Sequence, residues 1–271
     1  MKTYLEILKD HFAWKHQIIK LAKSDIIKTY SGAALGWAWT LVKPTITILV
    51  FWFAFSVGLR IGGDVEGYPF VLWLIAGLIP WFFMSEMFAG GASSIRSYKH
   101  LVTKMKFPVS TIPTFFGLSS LAVHIGLMVL VVIIFCLYGH YPDIYMLQLP
   151  IYMLLMLMYF ISWALFAGML SAISNDFLNL VKSLTTALFW MSGIMWDINR
   201  IDTTDIAWMK TVLMFNPVTF FATGYRNVFI YKIWIWDEPT ALLCFGIVYI
   251  LTFLGSIWAY KKLVKEIPDV L

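Results

Sequence analysis

Residues 107–142 read FPVSTIPTFFGLSSLAVHIGLMVLVVIIFCLYGHYP, a run without a single Asp, Glu, Lys or Arg. An α-helix crosses bilayer hydrocarbon in about 20 apolar residues, so this run is long enough to span by itself. Two further charge-free runs stand at 144–175 and 239–260. Across all 271 residues the chain is 61% hydrophobic and 13% charged, whereas a soluble domain sits near half and a quarter. The pattern predicts an all-α integral membrane protein that crosses the bilayer several times. Its net charge of +5 is therefore a matter of which side the basic residues occupy, and is not read as nucleic-acid binding. Cys136 and Cys244 both fall in apolar runs and read as buried free thiols. The first 28 residues carry six lysines and three acids. That leaves no apolar signal core, so the first span is expected to act as an uncleaved anchor.

Six spans are predicted: 43–60, with its helix beginning near Trp37, then 68–90, 108–138, 148–172, 177–196 and 239–260. The segment 211–225 is apolar but short, and Asn216-Pro217 interrupts it. Proline and nearby charge at membrane depth need protein around them, so 211–236 is predicted as a helical hairpin dipping in from the outer face. This topology gathers the basic residues of the N-terminal region, of 95–108, Lys182 and the C-terminal tail on one side. It leaves Arg60, Arg200, Lys210, Arg226 and Lys232 on the other. The bias is roughly three to one and places both termini in the cytoplasm.

Two amphipathic segments then lie inside. In 95–108, IRSYKHLVTKMKFP, the residues Ile95, Tyr98, Leu101, Val102 and Met105 share one helical face, while Arg96, Lys99 and Lys106 follow another. Pro108 closes the helix. Such a segment can lie on anionic lipid or seat in a groove of a soluble partner. The second segment, His16 to Tyr30, sets Ile19, Ala22, Ile26 and Tyr30 on one face and Lys20, Lys23 and Lys28 on the other, the pattern of an interfacial helix. It leads to SGAALGWAWTLVKP, where Gly32 and Gly36 make a GxxxG spacing and Trp37 and Trp39 are interfacial aromatics.

Catalytic and nucleotide-binding motifs are absent. No GxxxxGK[ST] loop occurs, so this chain has no usual seat for ATP phosphates. His124 is the one histidine within a predicted span, and no metal-ligand spacing surrounds it. Packing or a catalytic role with Glu86 are both open to it. Glu86, near the inner end of the second span, is either solvated at the interface or paired with a basic group. Asp176 is expected to cap the fifth span. Phe51, Trp52 and Phe55, then Phe189, Trp190 and Trp196, cluster at helical spacing. They are either packing or a smooth wall for passing sugar faces.

The order of these parts resembles the membrane subunit of ABC transporters that export cell-envelope polysaccharides. It lies in GWAWTLVKP, in the basic helix ending KFP, in the ND turn after the fourth span, and in an outer hairpin bearing NP and YRN. GLRIGGDVEGYPFVLWLIAGLIPWFF, SSIRSYKHLVTKMKFPVSTIP and MFNPVTFFATGYRNVFI are most similar to the wall teichoic acid exporters of Gram-positive bacteria. The resemblance implies one permease domain over 1–271, with interfacial helices in 1–36 and a coupling helix at 94–106. It implies two permease copies working with two cytoplasmic ATPase subunits, which bind ATP and Mg; this chain would hold no cofactor or metal. Ile95, Arg96, Tyr98, Lys99, Leu101, Val102, Lys104 and Met105 would dock the ATPase. The first and fifth spans would line the path, Trp37 and Trp39 would form a lateral gate, and Asn216, Pro217, Tyr225 and Arg226 an outer gate. The cargo would be a polyprenyl-diphosphate-linked teichoic acid, crossing the cytoplasmic membrane of a Gram-positive cell. O-antigen, capsule or a drug-like lipid are the alternative cargoes, and a standalone channel or a membrane enzyme the alternative classes. One departure is Asn175-Asp176, where such permeases commonly carry Arg-Asp.

Overall fold

The protein is described by a computed structural model covering residues 2–30, 36–60, 62–105, 107–198 and 208–271. Its regular elements are helices: α1 (Lys2–Ala13), α2 (Lys15–Tyr30), α3 (Trp39–Trp52, prolonged as a π-helix to Gly58), α4 (Phe70–Ser97), α5 (Lys99–Met105), α6 (Ile112–Leu137), α7 (Leu149–Ile173), α8 (Asn175–Met191), α9 (Trp208–Met214), α10 (Pro217–Arg226), α11 (Pro239–Leu263) and α12 (Ile267–Val270). Among the described residues no β-strand forms; Val65 and Tyr68 make an isolated bridge in the loop before α4.

Proline sets many helix starts. It stands in the first turn of α6, α7, α10 and α11, where the missing N–H has no intrahelical role. Side-chain caps complete the starts of α8 and α10. The Ser174 hydroxyl accepts from the Phe177 N–H at 3.4 Å, so the cap of α8 is Ser174 and not Asp176. Asp176 lies in the first helical turn, where its charge favours the helix dipole. The Asn216 carbonyl oxygen accepts from the Val218 N–H at 3.0 Å and starts α10.

Among the described residues, five helical stretches are long and apolar enough to cross a membrane: Trp39–Gly58, Phe70–Met105, Val109–Leu137, Ile144–Ile173 and Pro239–Leu263. The stretch predicted at 177–196 is α8, a helix of 17 residues, about 26 Å by helical rise. The second predicted span, 68–90, is longer than its apolar pattern suggested, because α4 runs on to Ser97.

α4 is the hub of the fold. In its most apolar stretch 72% of residues are buried inside the chain, against 6% for the stretch containing α3. Leu72, Leu74, Ala76, Leu78, Met84 and Met87 are fully buried, packed among α6, α7, α8 and α10. Where α4 meets α7, a Cβ added at Gly91 would come within 2.8 Å of the Ala164 Cβ. Glycine is therefore what allows these two backbones their close approach. A second core closes one end of the bundle, with Ile18, Ala22, Ile95, Leu101, Phe115, Leu165, Ala259 and Ile267 all buried together.

The N-terminal segment, predicted to be interfacial, is two helices, joined at Trp14. The buried face of α2 runs through Ile18, Ala22 and Asp25. It is not the predicted Ile19, Ala22, Ile26, Tyr30 face; Ile19 is 50% exposed. The reason is polar. Asp25 accepts hydrogen bonds from the Tyr98 and Ser119 hydroxyls, which rotates α2 towards α6. The Gly32–Gly36 spacing lies partly outside the described residues, since Gly32 is not among them.

Candidate functional site

α3, α4 and α8 bring most of the predicted aromatics into one seam. Phe51 lies 5.5 Å from Phe189 and 6.3 Å from Trp190, ring centre to ring centre. Trp81 of α4, which the sequence reading passed over, closes the group at 5.2 Å from Phe189. Towards the loop before α4, Phe55 meets Phe70, which stacks on Trp73. Trp196 is tied in by its indole N–H, which donates to the Trp190 carbonyl at 2.9 Å. Trp52 does not join; it is an exposed side chain. A cavity of about 250 Å³ opens between Phe55, Phe70, Trp73, Trp196, Asp64 and Asp197.

The region predicted as a hairpin at 211–236 holds most of α9, then α10 and a π-helical turn to Tyr231. Asn216 does double duty: its amide nitrogen donates to the Ser192 hydroxyl at 2.7 Å while its oxygen caps α10. Tyr225 and Arg226, expected at an outer gate, are buried in the chain's own core. The Arg226 guanidinium donates to the Gly193 carbonyl at 2.6 Å, the Ile194 carbonyl at 2.5 Å and the Trp73 carbonyl at 3.4 Å. It also lies 3.4 Å from the Trp73 ring centre. It thus pins the turn after α8 to α4 and α10. Tyr225 pairs through its hydroxyl with His124 Nε2 at 2.7 Å, linking mid-span α6 to the hairpin.

The basic segment is divided at Tyr98, whose backbone leaves the helical region, so the helix predicted across 94–106 is the end of α4 plus the short α5. Ile95, Leu101 and Val102 are buried in the second core. Arg96 donates to the Ser171 and Ala172 carbonyls at 2.6 and 2.9 Å and to the Asn175 side chain, binding the α7–α8 turn. Tyr98 is committed to Asp25. The residues left for another chain are Lys99, Lys104 and Met105, all exposed. Lys106 lies outside the described residues.

A cavity of about 570 Å³ lies between α2 and α3 on one side and α4 and α6 on the other. Trp39 lines it, together with Lys43, Glu86, Asp25, Ser119 and His124. The Trp37 side chain, the other predicted lateral-gate residue, is outside the described ones. Among the described residues no group of three or more His, Cys, Asp or Glu could hold a metal ion.

With this geometry in view, comparison with known proteins decides the family. The model of the ABC-2 type transporter family matches residues 16–230. The chain belongs to the ABC-2 type transporter family. Two similar relatives are O-antigen export system permease proteins called RfbA. That of Myxococcus xanthus is 25% identical over 225 residues, covering 83% of this chain and 84% of the relative. One from Klebsiella pneumoniae is 21% identical over 259 residues, 94% of each chain. This ABC-2 permease thus aligns with each of them over most of its length. The packing seen at Arg226 had one sequence clue, an arginine inside an apolar hairpin; the carbonyls it binds carried none.

Proposed function

We propose that the chain is the membrane subunit of an ATP-driven exporter of lipid-linked cell-envelope polysaccharide. The observation that carries this is the aromatic seam of Phe51, Phe189, Trp190 and Trp81 beside a first span its own chain leaves 6% buried. Aromatic faces meet sugar rings through apolar contact and hold no one unit tightly. A polar polymer cannot cross hydrocarbon alone, and nothing in the sequence holds ATP phosphates. Two ATPase subunits with ATP and Mg therefore supply the energy. In this reading α8 joins the five longer helices as a sixth span, both termini are cytoplasmic, and two copies pair along α3 and α8. Lys99, Lys104 and Met105 face the ATPase.

The O-antigen export role of the similar relatives favours an O-antigen-class polysaccharide as cargo. Teichoic acid is the second reading, resting on the motifs GLRIGGDVEGYPFVLWLIAGLIPWFF and MFNPVTFFATGYRNVFI. Reconstituting the chain with its ATPase and offering each lipid-linked polymer separates them, since the cargo should stimulate ATP hydrolysis. Stimulation by teichoic acid alone would reverse the order of the two readings. Solute flux through the chain in vesicles without any ATPase would refute both.

A further inference from the structure

The 570 Å³ cavity between α2, α3, α4 and α6 is within the range of about 300–1,000 Å³ that holds small ligands. Its wall carries charge, with Lys43 from α3, Glu86 from α4 and Asp25 from α2, set among the apolar side chains Phe82, Phe116 and Leu127. Asp25 is fixed by the Tyr98 and Ser119 hydroxyls. Lys43 and Glu86 are both exposed side chains and, among the described residues, neither has a hydrogen-bond or ion-pair partner. They are nonetheless close enough to feel each other electrostatically.

His124 lines the same cavity from α6. It is 1% exposed, its Nε2 meets the Tyr225 hydroxyl, and its Nδ1 has no partner. If the tyrosine donates its proton to Nε2, both of those atoms are satisfied. Nδ1 then carries the hydrogen, a buried donor with nothing to bind, which is costly unless something fills the site. The site thus offers one cation, two carboxylates and apolar side chains.

We infer that this cavity binds the headgroup of a zwitterionic aminophospholipid, its phosphate on Lys43 and its primary ammonium on Glu86. A lipid whose head is purely anionic fits less well, because two carboxylates, Asp25 and Glu86, stand against its charge. The acyl chains follow Phe82 and Phe116 towards hydrocarbon. The inference concerns a resident membrane lipid and holds whatever polymer the protein moves.

The test uses the full-length chain in detergent, titrated separately with phosphatidylethanolamine, phosphatidylcholine, phosphatidylglycerol and undecaprenyl phosphate. Bound lipid is read by native mass spectrometry. Phosphatidylethanolamine should be retained about tenfold more tightly than phosphatidylglycerol. Phosphatidylcholine should fall between them, since its quaternary ammonium has no hydrogen to donate. E86Q should remove the preference and K43Q should weaken retention of phosphatidylethanolamine itself about tenfold, while K43R and E86D, which keep the charges, should preserve both. Equal or tighter retention of phosphatidylglycerol or undecaprenyl phosphate by the unmodified chain overturns the inference. So does a preference that survives E86Q, or retention of phosphatidylethanolamine that K43Q leaves undiminished.

Discussion

Arg226 carries the heaviest local burden in this chain. A guanidinium out of water is tolerable only when its donors are used, and here three backbone carbonyls and the Trp73 face use them. R226M removes the donors and leaves those carbonyls unsatisfied, so it should lower stability by about 3–5 kcal/mol. R226K keeps a charge but loses the forked geometry and should fall between. Thermal unfolding in detergent reads both; an unchanged midpoint for R226M would remove the assigned role. The same site constrains Gly77, where an added Cβ would run into the guanidinium. G77A should cost about 1–3 kcal/mol. The double variant G77A/R226M should cost less than the sum of the two, because the clash disappears with the arginine.

At the scale of elements, α5 and the end of α4 are stitched into the bundle from both sides. Arg96 ties them to the α7–α8 turn and Tyr98 to α2. The segment can therefore transmit force from its exposed lysines to the spans. K99E with K104E should weaken assembly with the ATPase in a salt-dependent way and leave the permease's own unfolding unchanged. L101D, placed in the second core, should instead destabilise the permease by about 3 kcal/mol or more. Pull-down of the ATPase at two salt concentrations, beside a melting curve, separates the cases. If K99E/K104E assembles normally, α5 is not the docking element. N175R would set a second guanidinium against Arg96 in place of a hydrogen-bond acceptor. It should loosen the α7–α8 turn, read as faster hydrogen exchange there.

For the whole molecule the decisive question is sidedness. The proposed topology puts α5 and both termini in the cytoplasm, so a cysteine at position 99 or 104 should resist a membrane-impermeant thiol reagent in intact cells. It should react after the membrane is opened. Labelling in intact cells would invert the topology and remove the ATPase from its seat. The measurement is made in a C136S background, because Cys136 is a half-exposed free thiol near the end of α6, whereas Cys244 is buried.

Composition and run length, by themselves, determined that this is a helical membrane protein and where most of its spans lie, because every apolar residue in a bilayer obeys the same solvent. They also marked the hairpin, through Asn216-Pro217, and the aromatic clusters at 51–55 and 189–196. Only the tertiary structure decided which face of each helix is used. Period 3.6 sets a stripe, but Asp25 turned α2 off its apolar stripe by accepting two hydroxyls. Likewise Ile95, Leu101 and Val102 looked like a surface for a partner and proved to be core. In a membrane protein apolar side chains meet lipid, partner and interior alike, so hydrophobicity alone cannot say which of the three a given face meets.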